Sequence, residues 1–167
     1  MKKQQRRTVF IAETALIAAV YAVITYAISP LSFAAQQLRF SEALTVLPVL
    51  TPAAVPGLAV GCVIANLGSP LGLIDIVCGT LATLIAAILT RLTRNIRFKN
   101  LPLLSLIFPV LLNGLIVGLE IAFFLPEGMT FMGFLYSGGS VALGEAISCY
   151  ALGLPLFAAL NRTKIFK

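Results

Sequence analysis

Two apolar windows, Phe10 to Ser29 and Gly72 to Arg91, constrain this chain more than any other feature. About 20 apolar residues wound as an α-helix span the roughly 30 Å hydrocarbon core of a bilayer. Hydrophobic residues make up 59% of the chain and charged residues 11%, with a mean hydropathy of +1.01 and neither Trp nor His. That balance excludes a soluble core and implies an all-α integral membrane protein, since in lipid each backbone amide must be bonded within its own segment. A chain of 167 residues holds roughly five or six spans of about 20 residues. Little is left for an extramembrane catalytic domain, so residues 1–167 read as a single membrane domain.

The net charge of +6 does not point to nucleic acid, because of where the charges fall. Lys2, Lys3, Arg6 and Arg7 form one cluster, Arg91, Arg94, Arg97 and Lys99 a second, and Arg162, Lys164 and Lys167 a third. All three flank apolar segments, as cytoplasmic anchors do under the positive-inside rule. Placing them on one side of the membrane imposes a parity: the chain must cross an even number of times between Arg7 and Arg91. Hydropathy alone gives three crossings there, 10–29, 41–67 and 72–90. The middle run contains Pro48, Pro52 and Pro56, and proline removes a helical hydrogen bond and clashes with the preceding turn. A break near Thr51-Pro52-Ala53 makes two short helices and restores parity. Six helices are therefore predicted, at about 9–29, 39–50, 54–67, 72–92, 101–125 and 130–160, with both termini cytoplasmic. Gly144, Gly153 and Pro155 are expected to bend or end the last one, leaving its lower part along the interface. The basic start and Ser32-Phe33-Ala34 resemble a secretory signal and its cleavage site, but the apolar stretch exceeds the usual length, so an uncleaved first span is expected. The chain has no internal repeat and no low-complexity linker.

Against this background Arg39 stands out as the only basic residue between Arg7 and Arg91, three positions before Glu42. The topology puts 29–38, 68–72 and 126–130 outside, so the polar residues converge on an outer vestibule. Arg39 and Glu42 start the second helix there, Asn66 ends the third, Asp75 starts the fourth and Glu120 lies near the outer end of the fifth. Asn113, seven positions before Glu120, shares its face. Tyr136 joins from the top of the sixth helix, with Glu145 and Ser148 nearer the midplane. An ionised Asp or Glu at a helix centre costs roughly 2.5–3.5 kcal/mol on insertion scales, so these groups must be paired, hydrated or neutral. Plain structural readings stand beside the ligand reading. Arg39 and Glu42 can form an interfacial pair with Ser41 capping the helix, and Asp75 and Glu120 can snorkel. Glu145 is deep enough to need a polar ligand or an interhelical hydrogen bond. Glu13 reads as structural and Glu127 as a solvated loop residue. Cys62, Cys78 and Cys149 lack metal-ligand spacing and read as buried thiols. Ala12, Ala15, Ala19 and Ala22, with Ala18 at the border, make a small-residue stripe on the first helix, which suits either packing within the bundle or docking to another membrane subunit.

The stretches Leu38-Arg-Phe-Ser-Glu-Ala-Leu-Thr-Val-Leu-Pro48, Thr51-Pro-Ala-Ala-Val-Pro-Gly57, Gly61-Cys-Val-Ile-Ala-Asn66, Asp75 with Gly79-Thr-Leu-Ala-Thr-Leu84, Asn113-Gly-Leu-Ile-Val-Gly-Leu-Glu120 and Gly144-Glu-Ala-Ile-Ser-Cys-Tyr-Ala-Leu-Gly-Leu-Pro155 resemble the queuosine-precursor transporter family. The likeness covers nearly the whole chain and takes in its polar residues in order. It implies a six-helix substrate-binding S-component of an energy-coupling factor (ECF) transporter in a bacterial plasma membrane. Such a subunit captures a 7-deazaguanine (7-cyano-7-deazaguanine, 7-aminomethyl-7-deazaguanine or queuine) from outside. Uptake would then need a transmembrane scaffold subunit and two cytoplasmic ATPases that hold the ATP and Mg, with no cofactor or metal on this chain and no catalytic residue. In S-components an AxxxA motif on the first helix meets the scaffold, and Ala15 with Ala19 matches it, Ala18 and Ala22 being the offset pair.

A deazaguanine presents a ring N–H beside an amine, which a carboxylate accepts in two parallel bonds. Glu120, Glu145, Glu42 and Asp75 are candidates; Asn113, Asn66 or Arg39 could donate to its carbonyl, and Tyr136, Phe40 or Phe33 could stack on its ring. The excess of acidic over basic groups favours an amine-rich ligand. Two other classes stay open: an S-component for another vitamin or small nitrogenous cofactor, and a small membrane enzyme. The enzyme reading lacks tools, because the chain has no DxxD pair, HExxH, Gly-x-Ser-x-Gly or P-loop.

Overall fold

The computed structural model describes residues 2–28, 39–126 and 128–163, and these are helical, with no sheet among them. Helix 1 is Lys2–Ala27, helix 2 Phe40–Val49, helix 3 Ala54–Asn66, helix 4 Leu73–Leu92 and helix 5 Ile107–Phe123. Helix 6 runs over Phe131–Thr163, α-helical to Ala146, π-helical over Ile147–Gly153 and α-helical again from Leu154. The six expected helices are thus present with shifted bounds. Helix 1 starts earlier than predicted, and helix 5 starts later because Leu103–Leu106 are turns, with Ser105 and Leu106 both donating to Pro102 O. Gln4–Ala27, Leu73–Leu92 and Phe131–Thr163 are each long and apolar enough to cross a membrane. The Ser32-Phe33-Ala34 reading, Phe33 and Glu127 lie outside the described residues.

Helix 2 is the least expected element, a ten-residue 3-10 helix, where runs beyond three or four residues are uncommon. Pro48 removes an amide from its ladder and disfavours α geometry at Leu47. At about 2.0 Å rise per residue, ten residues reach about 20 Å instead of the 15 Å of an α-helix. Ser41 to Val49 are all buried, so this extended strut forms the centre of the bundle and meets helices 1, 3, 4 and 6.

The turn between helices 2 and 3 lies against the N-terminal half of helix 1. Thr51 Oγ1 donates to Glu13 Oε2 at 2.8 Å, and Thr14 Oγ1 donates to Ala53 O at 3.2 Å. Glu13 is therefore structural, as its position suggests. Helices 1 and 3 run in the same direction because a full reversal sits between them in helix 2, which is the split that charge parity requires. Their close approach depends on small residues: a Cβ at Gly57 would fall 3.0 Å from Ile17 Cβ, and one at Gly61 would fall 2.8 Å from Tyr21 Cβ. The same end of the bundle gathers the second basic cluster. Arg91 Nη1 donates to Pro48 O at 3.0 Å, and the Arg97 guanidinium lies 5.4 Å from the centre of the Phe157 ring on helix 6.

Helices 5 and 6 pack antiparallel through Gly114 and Gly118 against Ala142 and Gly138, where the Cβ of any larger residue at Gly118 would meet the Gly138 backbone. Helix 6 does not end at Gly153 and Pro155. The π segment absorbs the missing Pro155 amide and its ring, and the helix continues to Thr163 with Phe157 buried beside Val46, Val49 and Leu106.

Candidate functional site

The buried polar residues converge at the middle of the bundle. Arg39, Glu42, Asn66, Asp75, Asn113, Glu120 and Glu145 are all 5% exposed or less, and they come from helices 2 to 6 together with the residue that precedes helix 2. Arg39 has an extended backbone at the N-cap of helix 2, which sends its side chain across to helix 4. There Nη2 donates to Asp75 Oδ1 at 3.3 Å and Oδ2 at 3.4 Å. The expected Arg39–Glu42 pair is therefore replaced by an Arg39–Asp75 pair. Asn66 Nδ2 donates to Asp75 O at 2.9 Å, joining the end of helix 3 to the start of helix 4. All three side chains close over Gly79, where a Cβ would sit 2.6 Å from Asn66 Nδ2 and 3.3 Å from Asp75 Oδ1. Asp75 does not snorkel, because it is fully buried in this network.

Glu42 is held by helix 1. Tyr21 Oη donates to Glu42 Oε1, and one turn along Thr25 Oγ1 donates to Ser41 Oγ at 2.8 Å. Ser41 thus bonds helix 1, and helix 2 has no side-chain cap. Thr45 Oγ1 donates to Glu42 O at 2.6 Å, and Cys149 Sγ approaches the same carbonyl at 3.6 Å and Glu145 Oε2 at 3.9 Å. Asn113 of helix 5 is a neighbour of Glu145. Tyr21 was not among the residues expected from sequence. A phenol midway along an apolar helix was the available signal, because a buried hydroxyl requires a partner.

Several of these groups keep buried polar atoms without a partner among the described residues: Glu42 Oε2, both Glu120 oxygens, Asn66 Oδ1, Asn113 Nδ2, Thr80 Oγ1 and Ser148 Oγ. In apolar surroundings each such atom carries a desolvation cost of about 1–3 kcal/mol, more when charged. Unpartnered buried polar atoms of this kind are rare in folded proteins, and each calls for an explanation. Four carboxylates surround the single guanidinium of Arg39, so the cluster is acceptor-rich. A groove of about 290 Å³ between helices 5 and 6 does not contribute to it. That groove is lined by apolar residues including Leu111, Leu115 and Leu135, all exposed, and it has no polar group to orient a base.

Two expected contributors are less buried than the rest. Tyr136 is 74% exposed, because helix 6 turns Ser137 and Gly138 toward helix 5 and the neighbouring residue points about 100° away. Phe40 is half-buried at the start of helix 2. The alanine stripe divides as well. Ala18 and Ala22 are buried against helix 3 and form internal packing, contrary to a docking role, while Ala15 and Ala19 are exposed.

Apolar helices enclosing a cluster of buried polar residues make this an integral membrane protein of the helical-bundle class. The family model of the QueT transporter matches residues 11–162, nearly the whole chain, and the protein belongs to that family. Its work is therefore transport of a small molecule. No curated protein and no solved structure matches the chain.

Proposed function

We propose that the protein is the substrate-binding S-component of an ECF transporter that captures a 7-deazaguanine queuosine precursor from the outer face of the bacterial plasma membrane. The observation that carries this reading is the set of unpartnered acceptors, Glu42 Oε2 and both Glu120 oxygens, beside the unpartnered donor Asn113 Nδ2. A deazaguanine offers the complement, a paired N–H and amine edge for a carboxylate and a carbonyl for an amide donor. Glu42, Glu120 and Glu145 take the donor groups and Asn113 the carbonyl, while Arg39, Asp75 and Asn66 hold the outer wall of the site. Ala15 and Ala19 form the face that meets the scaffold subunit. Energy comes from two partner ATPases, since the chain carries no P-loop.

The test is titration calorimetry of the purified protein with 7-cyano-7-deazaguanine, 7-aminomethyl-7-deazaguanine and queuine, with other vitamins as competitors. Binding of at least one deazaguanine is expected, with affinity reduced about tenfold or more in Glu120→Gln or Glu145→Gln, as befits loss of a charge-assisted bond. Unchanged affinity in both variants refutes carboxylate recognition. Binding of an unrelated vitamin alone refutes the substrate class.

A further inference from the structure

We infer that Tyr21, on helix 1, is a positioning residue that sets the orientation in which Glu42 meets the ligand, an inference that rests on the ligand reading above. The backbone of Glu42 is fixed twice over at its carbonyl, by Thr45 and by Cys149. Its side chain has a different status. Oε1 accepts from Tyr21 Oη and Oε2 has no partner among the described residues. The phenol is thus the one hydrogen-bonding hold on the rotation of that carboxylate among the described residues, and it leaves one oxygen free. Tyr21 is well suited to hold a group still. It is 1% exposed, its Cβ abuts Gly61 of helix 3, and the Thr25–Ser41 bond pins the next turn of helix 1 to helix 2. A phenol has only two side-chain torsions, so a ring packed on all sides holds its hydroxyl in one place.

Tyr21→Phe deletes the hydroxyl and keeps the ring packing. The variant should lose about five- to tenfold in affinity for the deazaguanine that the wild type binds best, as expected for one hydrogen bond, while it stays folded with unchanged helical circular dichroism and a lowered unliganded melting temperature, since Glu42 Oε1 loses its donor. In a Glu42→Met background, where residue 42 offers the phenol no oxygen, the same substitution should cost less than twofold, because Tyr21 acts through that carboxylate. A full loss that persists in the Glu42→Met background, or wild-type affinity in Tyr21→Phe, overturns the inference. Infrared spectroscopy of the unliganded protein provides a readout independent of any ligand. The carboxyl band that disappears in Glu42→Gln should shift in Tyr21→Phe, and an unshifted band overturns the inference even if the wild type binds none of the three bases. Failure of all three bases to bind, with the band shifted, refutes the ligand reading and leaves the Tyr21 hold on Glu42 supported.

Discussion

Gly79→Ala is the sharpest probe of the polar network, because it adds one methyl group and no charge. Its Cβ would lie 2.6 Å from Asn66 Nδ2, whereas ordinary contact begins at 3.4 Å, so the amide would have to withdraw by about 0.8 Å. At 2.9 Å from Asp75 O, the Asn66 bond has no slack for that movement. Overpacking a tight interior costs about 1–3 kcal/mol, and the interhelical hydrogen bond contributes about 0.6 kcal/mol, the mean for such bonds in a membrane. Against this, alanine is favoured over glycine in a helix interior by about 1 kcal/mol. The net expectation is a destabilisation of about 0.6–2.6 kcal/mol, together with weaker ligand binding as Asn66 and the Arg39–Asp75 pair shift. Gly139 supplies the control, since a Cβ there meets nothing within 4 Å. Gly139→Ala should be neutral or stabilising by up to about 1 kcal/mol. Reversible unfolding in detergent, followed by helical circular dichroism, measures both variants. If Gly79→Ala proves as stable as Gly139→Ala, the packing of Asn66 and Asp75 over Gly79 is not as described.

Two further predictions concern the alanine stripe and the ion pair. Leucine at exposed Ala15 or Ala19 should leave stability and ligand binding intact and abolish uptake by the assembled transporter in vesicles. Leucine at buried Ala18 should instead lower stability by about 1–3 kcal/mol, because it wedges helix 1 off helix 3; equal behaviour at the two faces would contradict the division of the stripe. For the buried Arg39–Asp75 pair, Asp75→Leu alone should destabilise by about 3–5 kcal/mol by removing the carboxylate bonded to a buried cation, whereas the Arg39→Met, Asp75→Leu double variant should lose markedly less. A double variant no more stable than Asp75→Leu would show that the pair is not an energetic unit.

Much of the architecture follows from one-dimensional quantities. Apolar length fixes which segments can lie in lipid, and the positions of the basic clusters require a reversal between Arg7 and Arg91. The prolines at 48, 52 and 56 supply that reversal, and the turn found at Leu50 to Ala53 touches the basic half of helix 1 as the parity requires. The candidate polar residues were equally legible, because a carboxylate or guanidinium in such a chain is conspicuous by its cost. Of the ten candidate ligand residues, seven are buried in the cluster, Phe40 is half-buried, Tyr136 is exposed and Phe33 lies outside the described residues.

Which polar groups bond to one another was not legible, because that depends on helix rotation and on contacts between segments distant in sequence. Arg39 pairs across 36 positions with Asp75 instead of the nearby Glu42, and Glu42 takes its partner from helix 1. Tyr136 faces outward while Ser137 beside it is buried, a matter of about 100° of rotation about one helix axis. The same rotation divides the alanine stripe of helix 1, turning Ala18 and Ala22 inward and leaving Ala15 and Ala19 on the surface. Composition and charge order therefore decided the environment, the helix count and the inventory of the site, since each is set by the transfer cost of residues along the chain. Only the tertiary structure decided the pairings, because a hydrogen bond reaches about 3 Å and its partners are chosen by how the helices pack.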